Sequence, residues 1–323
     1  MMNALISTRV RRHLTREEGG SEREWRPGHA KEHQSVLTKE ALGLLAPQDG
    51  EVAVDATAGS GGHSEALLKA AHIKLIALDA DSLGVEATRA RLKRFGARGE
   101  TVEANFADLS AVLKETGLTQ VDLVLFDLGW RSEQLTSGRG FSFLVDEPLN
   151  MSYGARPRSG FSAAEILNTW DEKVIADVLF GYGEERYARR IAKAVVARRA
   201  IAPIETTIEL VELVRDAVPA GYRHGKTHPA TKTFQALRIA VNDELGVLEA
   251  GLKAAWQHLA VGGRVAVISF HSTEDRIVKR FFADLVKKKH AELLTKKPIT
   301  ATRAEVTHNP SARSAKLRGA KKV

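Results

Sequence analysis

The chain has 323 residues, 43% hydrophobic and 27% charged, and Lys and Arg outnumber Asp and Glu by 48 to 40. This composition excludes a disordered polyelectrolyte and indicates about two folded domains, or one large α/β domain with an insertion. The absence of cysteine excludes disulfides, thiolate metal sites and a cysteine nucleophile. Apolar runs stay far below the roughly 20 residues of a membrane helix, so we expect a cytoplasmic protein without a membrane partner.

The first part of the chain, residues 1–32, mixes both charge signs without apolar periodicity, so we expect a flexible N-terminal extension. Beyond it, short apolar segments alternate with turns and helical patterns. Strands are predicted at 51–56, 74–79, 101–104 and 121–127, and helices at 38–45, at 64–71 and ending over 89–95. This order of strand, turn and helix is typical of a doubly wound parallel sheet, the Rossmann-like α/β architecture.

The alternation stops after the fourth predicted strand. Residues 162–259 have a helical pattern, and strand character returns only at 264–270. The simplest arrangement is a helical domain inserted between the fourth and fifth strands. The predicted units are therefore a core at 33–135 and 240–308, an inserted helical substrate-recognition domain at 136–239, and a basic C-terminal tail at 309–323.

A glycine-rich turn directly follows the first predicted strand. Gly59, Gly61 and Gly62 precede the next helix, where backbone without a Cβ lets a ligand approach closely. Asp79 ends the second strand, from which a carboxylate can bond ribose hydroxyls. This arrangement predicts either a dinucleotide or S-adenosylmethionine (SAM), and a glycine turn without a ligand is the alternative.

Two features favour SAM over a dinucleotide. Ser64 occupies the third glycine position of the dinucleotide pattern. The acidic residues Asp55, Asp79 and Asp127 lie at the ends of predicted strands, where their charges would repel a pyrophosphate but suit a cationic sulfonium. The sequence therefore predicts SAM as the cofactor.

Two residues at strand ends are further candidates for the site. Phe106 follows the third strand and is a candidate to lie against an adenine ring, with a core aromatic as the equal alternative. Asp127 ends the fourth strand, at the edge where ligands of such sheets bind, and helix capping is its alternative.

Eight segments, in order from about His33 to Arg318, together resemble one family. They are Asp55–His63, Asp127–Gly129, Arg139–Phe143, His228–Gln235, Val241–Leu245, Ile268–Ser272, Glu274–Lys279 and Asn309–Leu317. The chain resembles the ribosomal RNA small-subunit methyltransferase H family, which implies SAM-dependent methylation of N4 of a cytosine in the decoding region of 16S rRNA. The resemblance also implies SAM contacts at Gly61, Gly62, His63, Asp79, Phe106, Asp127 and Gln134.

The chain departs from the family pattern at two places. Trp130, Arg131 and Ser132 stand where the family usually has a small apolar residue and two serines. Asn150 stands where an Asp is expected, so the side chain keeps hydrogen-bonding capacity but cannot act as a base or carry a charge.

The absence of cysteine bears on which atom of the base is methylated. Methylation of pyrimidine C5 normally uses a thiolate that adds at C6, whereas the exocyclic amine needs no covalent intermediate. An N4 site must accept hydrogen bonds from the amino group, so Asp127 is the candidate acceptor. His271 is a candidate base or substrate contact, although a structural role is favoured for it. The histidine spacings match no zinc site, and no metal is expected.

Positive charge is concentrated at one end of the sequence. Residues 264–323 hold 15 Lys and Arg against 5 Asp and Glu, so the other 263 residues hold 33 against 35. We therefore expect the C-terminal end to face 16S rRNA or the small ribosomal subunit. The candidate RNA contacts are Arg139, Asn150, Arg238, Arg313, Lys316 and Arg318, whereas Arg186, Arg189, Arg190 and Lys193 are interpreted as a solvated helix face.

Two alternative functions are left open, as is a homodimer. A non-catalytic ribosome-assembly factor that binds SAM and RNA is kept open by Trp130 and Asn150. A nucleotide-dependent oxidoreductase is disfavoured by Ser64 and by the acidic strand ends.

Overall fold

The fold was obtained as a computed structural model that describes residues 35–129, 134–135 and 137–323. The predicted extension at 1–32 and the departures Trp130, Arg131 and Ser132 lie outside these residues. Within the described part, no helix is long and apolar enough to cross a membrane.

The described strands form one mixed sheet. They are β1 (Val52–Asp55), β2 (Lys74–Asp79), β3 (Gly99–Glu103), β4 (Val121–Asp127), β5 (Leu259–Ser269), β6 (Ala291–Leu293), β7 (Ile299–Thr300) and β8 (Lys316–Lys322). Their order is β3-β2-β1-β4-β5-β8-β6, with β7 paired to β8. The first five strands pair with one another in parallel, which confirms the predicted α/β class.

Helices cover both faces of the parallel strands. They are α1 (Thr38–Leu45), α2 (Gly62–Ala70), α3 (Ser82–Leu92), α4 (Leu109–Glu115), α11 (Glu244–His258) and α12 (Ser272–Lys287). Successive residues of β4 alternate between two buried clusters. Leu123 and Leu125 pack with α1 and α2, whereas Val124 and Phe126 pack with α4, α11 and α12. Burial on both faces explains the nearly continuous apolar sequence of β4.

The segment between β4 and β5 is helical and has a hydrophobic cluster of its own. Before α11 it contains α5 (Ala163–Thr169), α6 (Glu172–Gly183), α7 (Ala188–Arg199), α8 (Thr207–Ala217), α9 (Ala220–Arg223) and α10 (Thr231–Asn242). Ser162 and Thr206 form capping boxes with Glu165 and Glu209 at the starts of α5 and α8. The chain turns through the left-handed Asp243 before α11 returns to the sheet.

Seven residues of the predicted basic tail, Lys316–Lys322, form a strand of the sheet, so the prediction of a tail is wrong for them. Strand β8 lies between β5 and β6 and is antiparallel to both. Leu317 and Ala320 on it are fully buried. The cations are accommodated because Arg318 pairs with Asp275 and Lys322 donates to the carbonyls of Trp256 and Leu259. A short helix, α13 (Arg303–His308), precedes β8.

Candidate active site

Two cavities meet at the carboxyl ends of β1 and β4, where the strand order reverses. The larger has a volume of about 460 Å³ and the smaller about 120 Å³. Both are lined by Thr57, Gly59, Asp127, Leu128 and Gly129. Open α/β sheets bind ligands at this topological switch point, so the shared wall is the natural place for two reacting groups to meet.

The glycine-rich turn brings Gly59, rather than Gly61 or Gly62, to both cavities. Gly59 N–H donates to Asp79 Oδ2 at 2.8 Å. Gly61 has φ +80° and immediately precedes α2, and a Cβ there would lie 3.2 Å from the backbone of Thr88. A Cβ on Gly62 would overlap Ser35 Oγ. The last two glycines therefore allow close packing within the protein.

The smaller cavity has the features of a nucleoside site. Asp79 and Asp81 lie on one side of it, and Phe106 and Asn105 line it as well. Phe106 packs edge-on against the buried Phe126, with ring centroids 5.4 Å apart. Gln134 also lines the cavity and donates to Asp81 Oδ2 at 3.4 Å. The sequence-predicted residues Asp79, Phe106, Asp127 and Gln134 are thus brought to one cavity.

Asp127 holds its two carboxylate oxygens in different surroundings. Its backbone N–H donates to Thr57 Oγ1 at 2.6 Å, which fixes the end of β4 against the turn after β1. Oδ2 lies 3.2 Å from His63 Nε2, as an ion-pair contact without hydrogen-bond angles. Oδ1 is buried and has no hydrogen-bond partner among the described residues. A buried acceptor without a partner is costly, so Oδ1 is suited to a donor from a bound ligand.

His63 lies between two carboxylates beneath this site. Burial opposes its protonation, but Asp127 and the charge of Asp55 together raise the pKa of His63. Asp55 is fully buried, which raises the pKa of its carboxyl, although the His63 charge opposes that rise. Ser64 Oγ donates to Asp55 Oδ2 at 2.6 Å. The two carboxylates therefore favour the protonated form of His63.

The larger cavity has a mostly apolar wall with polar groups at a few places. Its apolar and aromatic lining includes Phe141, Phe143, Met151, Phe234 and Phe270, and its polar lining includes His63, Asp127, Gln235, Arg238, His271 and Arg313. Flat aromatic walls with a few polar groups suit a nucleobase taken out of its stack. Arg313 is exposed, and no ion pair of its side chain occurs in the described part of the chain.

His271 caps a helix and contacts a buried glutamate. Its Nδ1 accepts from Glu274 N–H at 3.4 Å, and its Nε2 lies 3.1 Å from Glu274 Oε1. Burial opposes ionisation of Glu274, but His271 and backbone N–H groups lower the pKa of its carboxyl. His271 thus caps α12, a structural role, and it lies at the wall of the larger cavity.

Three ligand-bearing side chains, of Glu244, His271 and Glu274, lie close enough together to hold a metal ion. Glu244 already accepts from Arg238 Nε at 2.7 Å and from the Tyr153 hydroxyl at 3.0 Å. Glu274 accepts from two backbone N–H groups. A metal ion would have to displace the buried Arg238 from Glu244, so we do not assign these three residues as a metal site.

Most candidate RNA contacts are already paired within the protein. Arg139 donates to Asp81, 2.7 Å away, and Arg238 is paired with Glu244. Lys316 and Arg318 both pair with Asp275, at 3.5 and 2.7 Å. These pairs leave Arg313 as the one predicted arginine that both lines the larger cavity and lacks an ion pair in the described structure.

Asn150 lies outside both cavities. Its Oδ1 accepts from Ser152 N–H at 3.1 Å, and its carbonyl accepts from Ala163 N–H at 3.2 Å at the start of α5. The side chain is exposed and stabilises a turn. The departure from Asp at this position therefore places no charge change in the candidate site.

Several residues that shape the site were not predicted from the sequence. Thr57 positions Asp127, and Asp81 pairs with Arg139. Glu244 and Tyr153 form a wall of the smaller cavity. Thr57 could have been predicted from its position next to the glycine-rich turn. Asp81 and Glu244 could not, because their partners are distant in sequence or lie on the preceding helix.

Comparisons with known proteins agree over nearly the whole chain. The sequence profile described as the MraW methylase family matches residues 30–323. The chain is also similar to three proteins named ribosomal RNA small subunit methyltransferase H. It is 45% identical to the one from Heliobacterium modesticaldum, 47% to the one from Deinococcus deserti and 44% to the one from Geotalea uraniireducens. Each comparison covers 90% of this chain, and 98%, 93% and 98% of the respective relatives. The chain belongs to the MraW methylase family.

Proposed function

We propose that this chain is a SAM-dependent methyltransferase that modifies N4 of a cytosine in the decoding region of 16S rRNA. The observation that carries the proposal is the unpartnered, buried Asp127 Oδ1 at the wall shared by the two cavities of the described structure. The relatives' name supports small-subunit rRNA as the substrate.

The smaller cavity and the glycine turn fit SAM. Asp79 and Phe106 line this cavity, and we assign the carboxylate to the ribose hydroxyls and the ring to the adenine. Acidic groups around the turn suit the positive sulfonium, whereas they would disfavour the pyrophosphate of a dinucleotide. SAM, when bound, supplies a methyl group on that sulfonium. The oxidoreductase alternative is therefore less well supported.

Asp127 provides the chemistry that an exocyclic amine requires. The N4 lone pair of cytosine is delocalised into the ring, so the amine is a weak nucleophile. A carboxylate oxygen that accepts an N4 hydrogen bond increases the electron density on N4 and holds it in place. One proton must leave N4 when its new bond to carbon forms, and Asp127 Oδ1 is the acceptor that the site offers.

His63 has a positioning role in this mechanism. Its contact with Asp127 Oδ2 at 3.2 Å, together with the Thr57 hydrogen bond, fixes the orientation of the carboxylate. Because His63 contacts Oδ2, the other oxygen, Oδ1, is left for the substrate.

The helical segment and its neighbours provide the substrate side of the site. Phe141 and Phe143 precede α5, and Phe234 and Arg238 lie on α10, at the wall of the larger cavity. We propose that residues 136–239 recognise the substrate, as their separate hydrophobic cluster supports. The homodimer and the cytoplasmic location remain predictions.

Mass spectrometry of nucleosides tests the proposal. Small ribosomal subunits that lack the modification are incubated with the protein and SAM, and their rRNA is digested to nucleosides. We expect a gain of N4-methylcytidine. Binding of SAM and rRNA without any methylated nucleoside would favour the assembly-factor alternative, and 5-methylcytidine would contradict the assignment of the reacting atom.

A further inference from the structure

Helix α12 and the loops on either side of β6, the strand at the outer edge of the sheet, carry a group of exposed cations that the candidate site does not use. Six of them have no side-chain ion pair or hydrogen bond to another described residue, and we call them the basic strip: Lys279, Arg280, Lys287, Lys289, Lys296 and Lys297. Nearby cations are paired, since Arg276 contacts Glu184 and Lys288 contacts Asp284. Within the described structure, the strip is therefore positive charge that the protein leaves uncompensated.

The local charge imbalance distinguishes this edge from the helical segment. Residues 276–297 contain eight Lys and Arg against two Asp and Glu. Residues 163–258 contain 13 Lys and Arg, and they hold at least as many Asp and Glu. Because a polyanion binds where like charges accumulate, the sheet edge is the stronger candidate for contact with nucleic acid.

The strip begins beside the candidate active site. Helix α12 starts directly after His271, which lines the larger cavity, and its 16 residues extend for about 24 Å along the sheet. Its other end leads to β6, which starts opposite Lys322, at the far end of β8.

The chain then returns toward the site along the same edge. Lys296 and Lys297 come between β6 and β7, and β7 pairs with the first two residues of β8. Those residues are next to the end of β5 that faces the cavities. Arg313, at the cavity itself, precedes them. The segments that carry the strip thus begin and end next to the end of β5 that faces the cavities.

We propose that the basic strip binds the phosphate backbone of the rRNA that flanks the target base. This inference rests on the proposed function for the identity of the polyanion. Exposed lysines and arginines contact phosphates without reading sequence, so the strip would contribute affinity and orientation, while the cavity selects the base.

Two variants of equal net charge test the proposal. The strip variant carries Lys279→Gln, Arg280→Gln, Lys287→Gln and Lys289→Gln. The control variant carries Lys74→Gln, Arg89→Gln, Lys93→Gln and Lys114→Gln, all at exposed positions outside the helical segment. Binding of a 16S rRNA transcript is measured by filter retention at several salt concentrations, and SAM binding is measured by calorimetry.

We expect the strip variant to bind RNA at least about tenfold more weakly at low salt. The slope of log affinity against log salt should become shallower by about 0.7 for each phosphate that the variant no longer neutralises. The control should stay within about threefold of the wild type, and both variants should bind SAM normally. An equal weakening in both variants, a larger weakening in the control, or unchanged affinity of the strip variant would overturn the proposal.

The binding experiment separates this inference from the proposed function. It requires no turnover, so a wild-type protein that binds rRNA through the strip but forms no N4-methylcytidine would refute only the proposed reaction. If the strip variant methylates normally and its RNA affinity is unchanged, only the proposal that the strip binds rRNA is refuted.

Discussion

The carboxylate of Asp127 has one oxygen in contact with His63 and one oxygen left to accept a hydrogen bond from a ligand. Thr57 fixes the backbone at Asp127, His63 contacts Oδ2, and Oδ1 stays buried without a partner in the described structure. His63 is 4% exposed, so water screens this pair only weakly. The free energy of the arrangement therefore depends on the protonation state of His63.

The pH dependence of stability tests the protonation of His63. Because its pKa is raised in the folded state, its contribution to stability is complete below the unfolded value of 6.5 and is lost as pH rises through the folded pKa. We expect the difference in unfolding free energy between the wild type and His63→Gln to become smaller as the pH rises through the folded pKa of His63, as measured by urea denaturation.

A second histidine provides the control for this measurement. His72 is exposed, and the corresponding variant His72→Gln should follow the wild type across the same pH range. A constant difference between the wild type and His63→Gln at all pH values would contradict the proposed ion pair.

Asn150 supports a different prediction, because its side chain lies in a surface turn. Asn150→Asp keeps the oxygen that accepts from Ser152 N–H. We therefore expect stability to change by less than about 0.5 kcal/mol and the rate of methyl transfer to stay within about twofold. A large gain of activity in a methyl-transfer assay would show that the position acts on the reaction.

At the level of elements, β8 is an inner strand whose sequence has the composition of a tail. Four of its seven residues, Lys316–Lys322, are cations, and none of the four is fully exposed. Removing the residues after Thr295 would delete β7 and β8 and leave β5 without its antiparallel neighbour. We expect such a chain not to fold, so it cannot serve as a test of RNA binding.

A point substitution measures what β8 contributes. Leu317 is fully buried in the cluster that also contains Ile268 of β5. Leu317→Ala should lower the free energy of unfolding by about 2 to 5 kcal/mol in urea denaturation. The exposed Glu292→Gln on neighbouring β6 should change it by less than about 0.5 kcal/mol. Equal, small effects of both would contradict the burial of β8.

The sequence was sufficient to predict elements whose evidence is local. The bounds of β2 and β4 match the predicted ranges, and the apolar run of β4 reflects burial on both faces. The start of α1 also depends on a distant residue, since Leu37 N–H donates to Glu305 Oε1. Strand β8 was missed because the partners of three of its cations lie far from it in sequence: Asp275 pairs with Lys316 and Arg318, and carbonyls of α11 and β5 accept from Lys322.

At the scale of the whole molecule, the parallel sheet brings distant segments to one edge. Asp79, Phe106 and Asp127 were predicted at strand ends, and the parallel order brings them to one cavity. The internal pairing of arginines could not be predicted, because Arg139 and Arg238 look like free cations in the sequence. The basic strip therefore replaces these two arginines as the candidate surface for RNA binding.

Single-turnover methyl transfer to small ribosomal subunits by Asp127→Asn, with SAM at saturation, tests the role of Asp127 directly. We predict a rate about 100-fold or more below that of the wild type, because the charged acceptor of the N4 hydrogen bond is removed. SAM affinity should change by only a few fold, and the control Glu115→Gln, exposed on α4, should react at the wild-type rate. A wild-type rate for Asp127→Asn would contradict the assignment of Asp127 as the acceptor.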